Sequence, residues 1–215
     1  QAEKLEAGDL SSLSDVDGII VPIGWGPGGV EGKIAAINYA RIHKIPYFGL
    51  CYGMQLAVVE YARNVLGLKD ANTTEVAPET KNPLIHMISG QDEILKRRAY
   101  GGTMRLGRWE CMVKAGTISD ESYTRDEAYD NAKEKMVGER HRHRFEFNDE
   151  YAQALEKAGM VIAGRSKVES LCEIVELPKS EHPFFVGTQY HPEYRSRPLA
   201  PHPLFVSFIT ACSKK

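Results

Sequence analysis

The stretch FGLCYGMQLAV, residues 48–58, places one cysteine between two glycines at the end of an apolar run. The apolar residues 45–50 predict a strand and residues 54–65 a helix, so Cys51 stands at a tight strand-to-helix turn. Hydrolase nucleophiles occupy such turns, because flanking glycines permit a strained backbone and close packing of strand on helix. The N–H groups at the helix start would also favour the thiolate. The pattern indicates a nucleophile; the alternative is a buried structural thiol.

A cysteine nucleophile needs a base to accept its proton and a third group to orient that base. Of the seven histidines, His191 directly follows a strand-like run, FFVGTQY. Sites in α/β sheets form beyond the carboxyl ends of strands, where Cys51 also lies. Pro192 stiffens this turn, and Glu193 is close enough in sequence to fix the imidazole tautomer. The residues therefore predict a triad of Cys51, His191 and Glu193, against the alternative that His191 is a polar group ending a strand.

Alternating strand and helix patterns surround these residues and predict an α/β fold. Residues 17–24, 45–50, 159–166, 169–178 and 182–194 read as strand segments, and 140–148 alternates like a strand. Helical patterns cover residues 31–43, 54–67, 149–158 and 203–212, whereas residues 71–130 are less regular. We therefore expect a mostly parallel central sheet flanked by helices, in a single domain over residues 1–215.

The composition is that of an ordinary globular protein. Hydrophobic residues make up 42% and charged residues 26% of the 215 residues, and the formal net charge is −2. This charge gives no reason to expect a nucleic acid or membrane partner, and we find no membrane-spanning run or signal peptide. The four cysteines lie far apart, a spacing that suits neither a metal site nor a disulfide framework. We expect reduced thiols, no metal and a cytoplasmic location.

Several sequence blocks resemble a known family. GLCYGMQ together with QYHPEY resembles the Cys–His–Glu triad of class I glutamine amidotransferases. VPIGWGPGGVEGK, ANTTE, GGTMRLG, ERHRHRFEFN and HPFFVGTQYHPEYRSRPLAPHPLF look like the glutaminase domains of CTP synthases. The resemblance runs from about Asp17 to the C-terminus. It implies a flavodoxin-like amidotransferase fold with an added antiparallel part, in a C-terminal fragment whose first strand and synthetase domain precede Gln1.

The activity implied by this resemblance is hydrolysis of L-glutamine through a cysteine thioester. Ammonia would pass to the N-terminal synthetase domain of the same polypeptide, which aminates UTP to CTP using ATP. The resemblance implies no cofactor in this domain, whereas the full-length enzyme would use ATP, Mg²⁺ and UTP, respond to GTP as activator and form a homo-oligomer. Two alternatives stay open: a non-catalytic regulatory module of the same fold, and another Cys–His enzyme such as a γ-glutamyl hydrolase.

The resemblance also assigns roles to residues outside the triad. An oxyanion formed from the amide needs donors aimed at it in advance, and the backbone N–H groups of Gly24 and Tyr52 would supply them. The family has two consecutive glycines and an aromatic residue where this chain has Ile23, Gly24 and Trp25, and a leucine is usual at Tyr52. Glu75 suits an ammonium, and an arginine forms a bidentate clamp on a carboxylate. The substrate-binding residues implied are Gly24, Trp25, Gln55, Glu75 and Arg144.

The segment YGGTMRLG, residues 100–107, resembles the lid that responds to GTP in CTP synthases. Its glycines would give it mobility, and Arg105 could meet a nucleotide phosphate or the partner domain. It lacks the Gly-Lys-Ser/Thr ending of a phosphate-binding P-loop. We therefore take Thr103 and Arg105 as candidate lid or allosteric residues; the alternative is an ordinary surface turn.

Overall fold

The computed structural model describes residues 2–88 and 104–214, and over these residues the chain forms one seven-stranded sheet, one three-stranded sheet and flanking helices. The strands are β1 (Ile19–Val21), β2 (Tyr47–Leu50), β3 (Asn72–Thr73), β4 (Pro83–Met87), β5 (Arg105–Val113), β6 (Met136–His143), β7 (Phe145–Phe147), β8 (Val161–Ser166), β9 (Cys172–Glu176) and β10 (Phe185–Thr188). The helices are α1 (Ala2–Glu6), α2 (Val30–His43), α3 (Tyr52–Asn64), α4 (Ile118–Arg125), α5 (Ala152–Lys157) and α6 (Pro203–Cys212).

The large sheet has the strand order β1–β2–β10–β9–β8–β5–β6. β2 lies between β1 and β10 and is parallel to both, as the buried apolar run at residues 45–50 leads one to expect. From β10 through β9, β8, β5 and β6 each neighbouring pair is antiparallel. The predicted α/β class is confirmed, and the sheet is mixed, with its parallel part confined to the three strands next to Cys51.

The region that the sequence left irregular, residues 71–130, contains β3, β4, the long strand β5 and the helix α4. β5 pairs along its length with β6, which is the edge strand of the large sheet and contains the RHRH stretch at residues 140–143. The helix α4 begins after Thr117, whose side chain caps it by accepting from the N–H of Asp120. A capped helix this short leaves little periodic signal, which is why the sequence pattern did not reveal it.

Helix α3 is the element that brings the site together. Every residue from Tyr52 to Ala62 is buried, with the helix packed on the ends of β1, β2 and β10. A Cβ atom at Gly53 would lie 2.1 Å from the carbonyl oxygen of Val21, and one at Gly187 would lie 3.0 Å from the Cα of Met54. The glycines therefore permit a backbone-to-backbone approach that fixes the helix start against the strand ends.

The small sheet, in the order β3–β4–β7, lies against the same helix and forms one wall of the cavity described below. Its strand β7 follows β6 after only one residue, Arg144, so the two sheets are joined at that point. Among the helices in the described part of the chain, none has the length and apolar character needed to cross a membrane.

Candidate functional site

Cys51 has a backbone conformation that non-glycine residues rarely adopt, with φ 51° and ψ −95°. Its N–H donates to the carbonyl oxygen of Thr188 at the end of β10, at 2.7 Å, and helix α3 begins at the next residue. A Cβ atom at Gly49 would meet the backbone of Gly53 at 2.7 Å, so the turn closes only with glycine there. The strand–turn–helix geometry predicted around Cys51 is confirmed, and the thiol projects from a strained turn.

The thiol of Cys51 is buried, and burial is the main reason why its pKa is raised to about 12; the carboxylate of Glu193 raises it further. Two donors oppose this: the backbone N–H of Tyr52 and the side-chain amide of Gln189, whose Nε2 lies 3.4 Å from Sγ. The N–H at the helix start thus lowers the pKa of the thiol, as expected, but desolvation has the larger effect. The sulfur is a thiol that ionises only when a base accepts its proton.

His191 lies just beyond the end of β10, next to the strand that ends at Cys51. Its Nδ1 is 2.6 Å from Oε1 of Glu193 and its ring stacks on Tyr194, with centroids 4.5 Å apart. Since a carboxylate can only accept, Nδ1 carries the proton and Nε2 is left as an acceptor. Nε2 is buried and has no hydrogen-bond partner among the described residues, so no direct bond to Sγ is formed in this geometry.

A cavity of about 350 Å³ opens beside Cys51. It holds every residue that the resemblance implied for substrate binding, and its walls are formed by Ile23, Gly24, Trp25, Cys51, Gln55, Glu75, Met104, Arg142, His143, Arg144 and Phe145. The carboxylate of Glu75 accepts from the N–H of Gly26 at 3.0 Å, and burial raises its pKa. The cavity therefore presents a carboxylate, a guanidinium and a thiol to one enclosed space, which suits a zwitterionic amino acid.

The loop after β1 lies close to the start of α3. A Cβ atom at Gly24 would be 2.9 Å from the ring of Tyr52, whose hydroxyl donates to the carbonyl oxygen of Gly26 at 2.6 Å. Ile23 is not among the residues with positive φ, so this β-branched residue is unstrained where the family has glycine. The change at position 23 therefore introduces no positive-φ strain into this loop.

Two polar side chains that the sequence argument missed complete the site. Gln189 donates to the sulfur and, through Oε1, accepts from Nε2 of Gln55 at 3.2 Å; Gln55 also donates to the carbonyl oxygen of Phe145 at 2.9 Å. His143 donates from Nδ1 to that same carbonyl at 3.0 Å. One signal was available for Gln189: it precedes His191 by two residues, the period at which an extended chain returns to the same side.

Arg105, a candidate lid residue, begins strand β5 and is buried. Its guanidinium donates to the carboxyl group of Glu173 on β9 and lies 4.8 Å from the ring of Trp109. These contacts anchor the start of β5 in the sheet, and the lid role of Arg105 stays a prediction. Thr103 lies outside the described residues.

Comparison with known proteins agrees with this geometry. The family model described as Glutamine amidotransferase class-I matches residues 1–211. The chain is 53% identical to the CTP synthase of Caldanaerobacter subterraneus subsp. tengcongensis over 199 residues, 93% of this chain and 34% of that protein. It is 51% identical to the CTP synthase of Sulfolobus acidocaldarius over 205 residues, 95% of this chain and 36% of that protein. The chain thus spans about a third of the length of these curated relatives.

Among solved structures, the chain is similar to the glutaminase domain of Trypanosoma brucei CTPS with bound acivicin. The TM-score is 0.85 and the identity 36%, over 100% of this chain and 79% of that one. A putative GMP synthase protein from Thermoplasma acidophilum shares the fold, at a TM-score of 0.57 and 15% identity over 97% of this chain and 78% of that one. The fold, the elbow cysteine and the histidine–glutamate pair therefore occur here in the context that the sequence blocks predicted.

Proposed function

Because this chain belongs to the class I glutamine amidotransferase family, we propose that it is the glutaminase domain of a CTP synthase and hydrolyses L-glutamine to glutamate and ammonia. One observation carries the proposal: a buried thiol on a strained turn, a histidine oriented by a glutamate, and a cavity with Glu75 and Arg144 meet at the ends of two adjacent strands. The arrangement suits attack by sulfur on a free amino acid's side-chain amide.

The proposed reaction begins with transfer of the Cys51 proton to Nε2 of His191, while Glu193 stabilises the imidazolium at Nδ1. The sulfur then attacks the amide carbon of glutamine, and the N–H groups of Tyr52 and Gly24 stabilise the oxyanion. As the tetrahedral intermediate collapses, the carbon–nitrogen bond breaks and the imidazolium gives its proton to the leaving ammonia. Water, deprotonated by His191, next attacks the thioester and releases glutamate and the thiol.

Recognition of the substrate follows from the charges in the cavity. Glu75 would pair with the ammonium of glutamine, and Arg144 with its α-carboxylate. Gln55 holds the carbonyl of Phe145 and the amide of Gln189, so it links the cavity wall next to Arg144 with the nucleophile. A substrate clamped at both ends would place its side-chain amide at the sulfur.

The wider role is part of the same proposal. Ammonia made at Cys51 would pass to a synthetase domain that aminates UTP with ATP and Mg²⁺, with GTP acting as activator, in a cytoplasmic homo-oligomer. The CTP synthase relatives, of which this chain spans about a third, support a partner domain in the same polypeptide. In that full-length enzyme, Cys51→Ser should abolish glutamine-dependent CTP formation but keep formation from free ammonia.

The test is covalent trapping of this chain with an electrophilic glutamine analogue, followed by intact mass and peptide mapping. We expect one adduct, on Cys51, and release of glutamate from glutamine by the untreated chain. The Cys51→Ser variant should lose both the adduct and the release of glutamate. The Cys212→Ser variant should keep both, because Cys212 is half-buried and lies outside the cavity. No adduct on the parent chain, or hydrolysis retained by Cys51→Ser, would contradict the proposed function.

A further inference from the structure

A second cavity, of about 570 Å³, lies beside the backbone of His191 and is built almost entirely of arginine. Over the described residues its walls are Arg108, Arg140, Tyr194, Arg195 and Arg197, none of which lines the cavity at Cys51. The N–H of His191 donates to the carbonyl oxygen of Arg140 at 2.8 Å. Four cationic groups thus converge on one surface of a chain whose formal net charge is −2.

These charges are only partly compensated. Asp130 lies 2.9 Å from Arg108, and Glu139 lies 3.3 Å from Arg195. Among the described residues, Arg140 and Arg197 have no carboxylate partner within ion-pair distance. Arg108 and Arg140 are moreover directly opposite each other on β5 and β6, and like charges in that position destabilise a sheet. The cluster therefore carries an excess positive charge that an anion would stabilise.

Three of the four guanidinium groups, those of Arg108, Arg195 and Arg197, are positioned against the backbone. The Arg108 guanidinium lies over Gly138, where a Cβ atom would be 2.1 Å from its Cζ, and Arg195 donates to the Gly138 carbonyl at 2.5 Å. Arg197 is fixed by the carbonyl oxygens of Tyr194 and Ser196, at 3.1 and 2.7 Å. Groups ordered in advance lose less side-chain entropy when a ligand binds.

We propose that this arginine pocket, defined by Arg108, Arg140, Arg195 and Arg197, binds the phosphate chain of a polyphosphate-bearing ligand. Guanidinium groups bind phosphate oxygens in pairs of parallel hydrogen bonds, and several such groups around one cavity fit several linked phosphates. Tyr194 already stacks one face of its ring on His191, so that face does not accept a nucleobase. Recognition therefore rests on the phosphates, whether inorganic or carried by a nucleoside. This site is independent of the proposed glutaminase function.

Isothermal titration of the chain with sodium tripolyphosphate at low ionic strength tests the pocket. We expect saturable binding to one site that weakens as sodium chloride is added. Arg140→Gln, which removes an exposed side chain without a carboxylate partner among the described residues, should weaken binding by about tenfold or more. Arg165→Gln, the matched control on β8, removes the same charge outside the pocket and should leave the affinity within about twofold. ATP should bind as tightly as tripolyphosphate.

Gly138→Ala separates geometry from charge, because the new methyl group displaces the Arg108 guanidinium while every arginine stays. We expect weaker tripolyphosphate binding by this variant and an unchanged circular dichroism spectrum. Absence of saturable binding by the parent chain would overturn the proposal and favour an acidic protein segment as the occupant. If Arg140→Gln and Arg165→Gln weakened tripolyphosphate binding equally, the binding would be non-specific counterion binding and the proposal would also be overturned. Much tighter binding of ATP than of tripolyphosphate would overturn recognition by phosphate alone.

Discussion

At the scale of single residues, the site depends on how a buried sulfur can become charged. Burial holds the proton on Cys51, with a thiol pKa of about 12, and the nearby Glu193 carboxylate adds to this effect. The same carboxylate accepts the proton of Nδ1 and so leaves Nε2 of His191 as the acceptor atom. Ionisation is therefore coupled to the base. A thiolate can form only as a pair with the imidazolium, steadied by the donors Tyr52 and Gln189.

We predict that Gln189→Leu makes Cys51 harder to ionise. The variant removes a hydrogen bond that stabilises the charged sulfur in a desolvated place, so the thiol pKa rises further. At a fixed pH the rate of alkylation of Cys51 by iodoacetamide should fall by about tenfold, the effect of roughly one pKa unit. The matched control is Gln153→Leu, because Gln153 is an exposed glutamine on α5. In this variant Cys51 should be alkylated at the same rate as in the parent chain. An unchanged alkylation rate in Gln189→Leu would show that the contact does not act on the thiolate.

We also predict that variants of Glu193 and His191 lose glutaminase activity to different extents. Glu193→Gln keeps the size of the side chain but removes the charge that holds Nδ1, so the imidazolium is less stable and its tautomer less defined. Glutamine hydrolysis should fall by more than about tenfold, yet less than in His191→Ala, which removes the group that moves the proton. Steady-state glutamate release by the two variants decides this. A larger loss in Glu193→Gln than in His191→Ala would be inconsistent with these roles.

At the scale of elements, the strand–turn–helix from 45 to 64 was predictable because apolar periodicity and two glycines specify it locally. The antiparallel strand β5 was not predictable from the sequence. Four residues in its sequence RLGRWECMV are charged or glycine, and its partner β6 lies far along the chain. Gln189 and His143 were likewise missed, because their roles come from partners at distant positions. The contact between Arg105 and Glu173 was not predictable either, because the two residues lie 68 positions apart in the sequence.

The contact between α3 and β1 gives a prediction at this scale. Gly53→Ala places a methyl group 2.1 Å from the carbonyl oxygen of Val21, so the helix start must move away from the strand ends. We expect the free energy of unfolding to fall by about 2 kcal/mol. Gly28→Ala is the control, as an exposed glycine whose Cβ would meet nothing within 4 Å; its effect should stay within about 0.5 kcal/mol. Urea denaturation measures the free energy of unfolding of both variants. Equal values for Gly53→Ala and Gly28→Ala would contradict the close approach of Gly53 to the carbonyl oxygen of Val21.

At the scale of the whole molecule, the parallel and antiparallel parts of the large sheet contribute different residues to the site. The parallel strands β2 and β10 end at the nucleophile and the base, which is the position that open α/β sheets give to their sites. The antiparallel part supplies His143 and Arg144 to the wall of the cavity and encloses buried carboxyls, among them Glu173 and Glu176 on β9. The periodicity of the sequence predicts the parallel part of the sheet. The antiparallel part is not predictable in this way, because it depends on pairing between distant strands and on charged residues whose partners are distant in sequence.

The buried carboxyls of β9 predict how stability depends on pH. Burial raises the pKa of Glu173 to about 8, against the opposing effect of Arg105, and that of Glu176 to about 7. Both carboxyls ionise near pH 4.3 in the unfolded chain, so from about pH 7 to 8.5 the folded protein holds protons that the unfolded chain has lost. The free energy of unfolding should therefore fall with rising pH in this window, by on the order of 2 kcal/mol. Burial lowers the pKa of His141 and His143, so in this window both are largely neutral whether the chain is folded or unfolded.

Glu176→Gln tests that prediction, because the amide oxygen can still accept from the N–H of Ile118 at the start of α4 while the titrating group is gone. Urea unfolding at about pH 7 and about pH 8.5 should show a smaller decrease in stability for Glu176→Gln than for the parent chain. Glu79→Gln, an exposed carboxyl, should leave the parent's pH dependence unchanged. If the parent chain were equally stable or more stable at the higher pH, the carboxyls of β9 would be ionised throughout, and Arg105 would have to be compensating Glu173 in full.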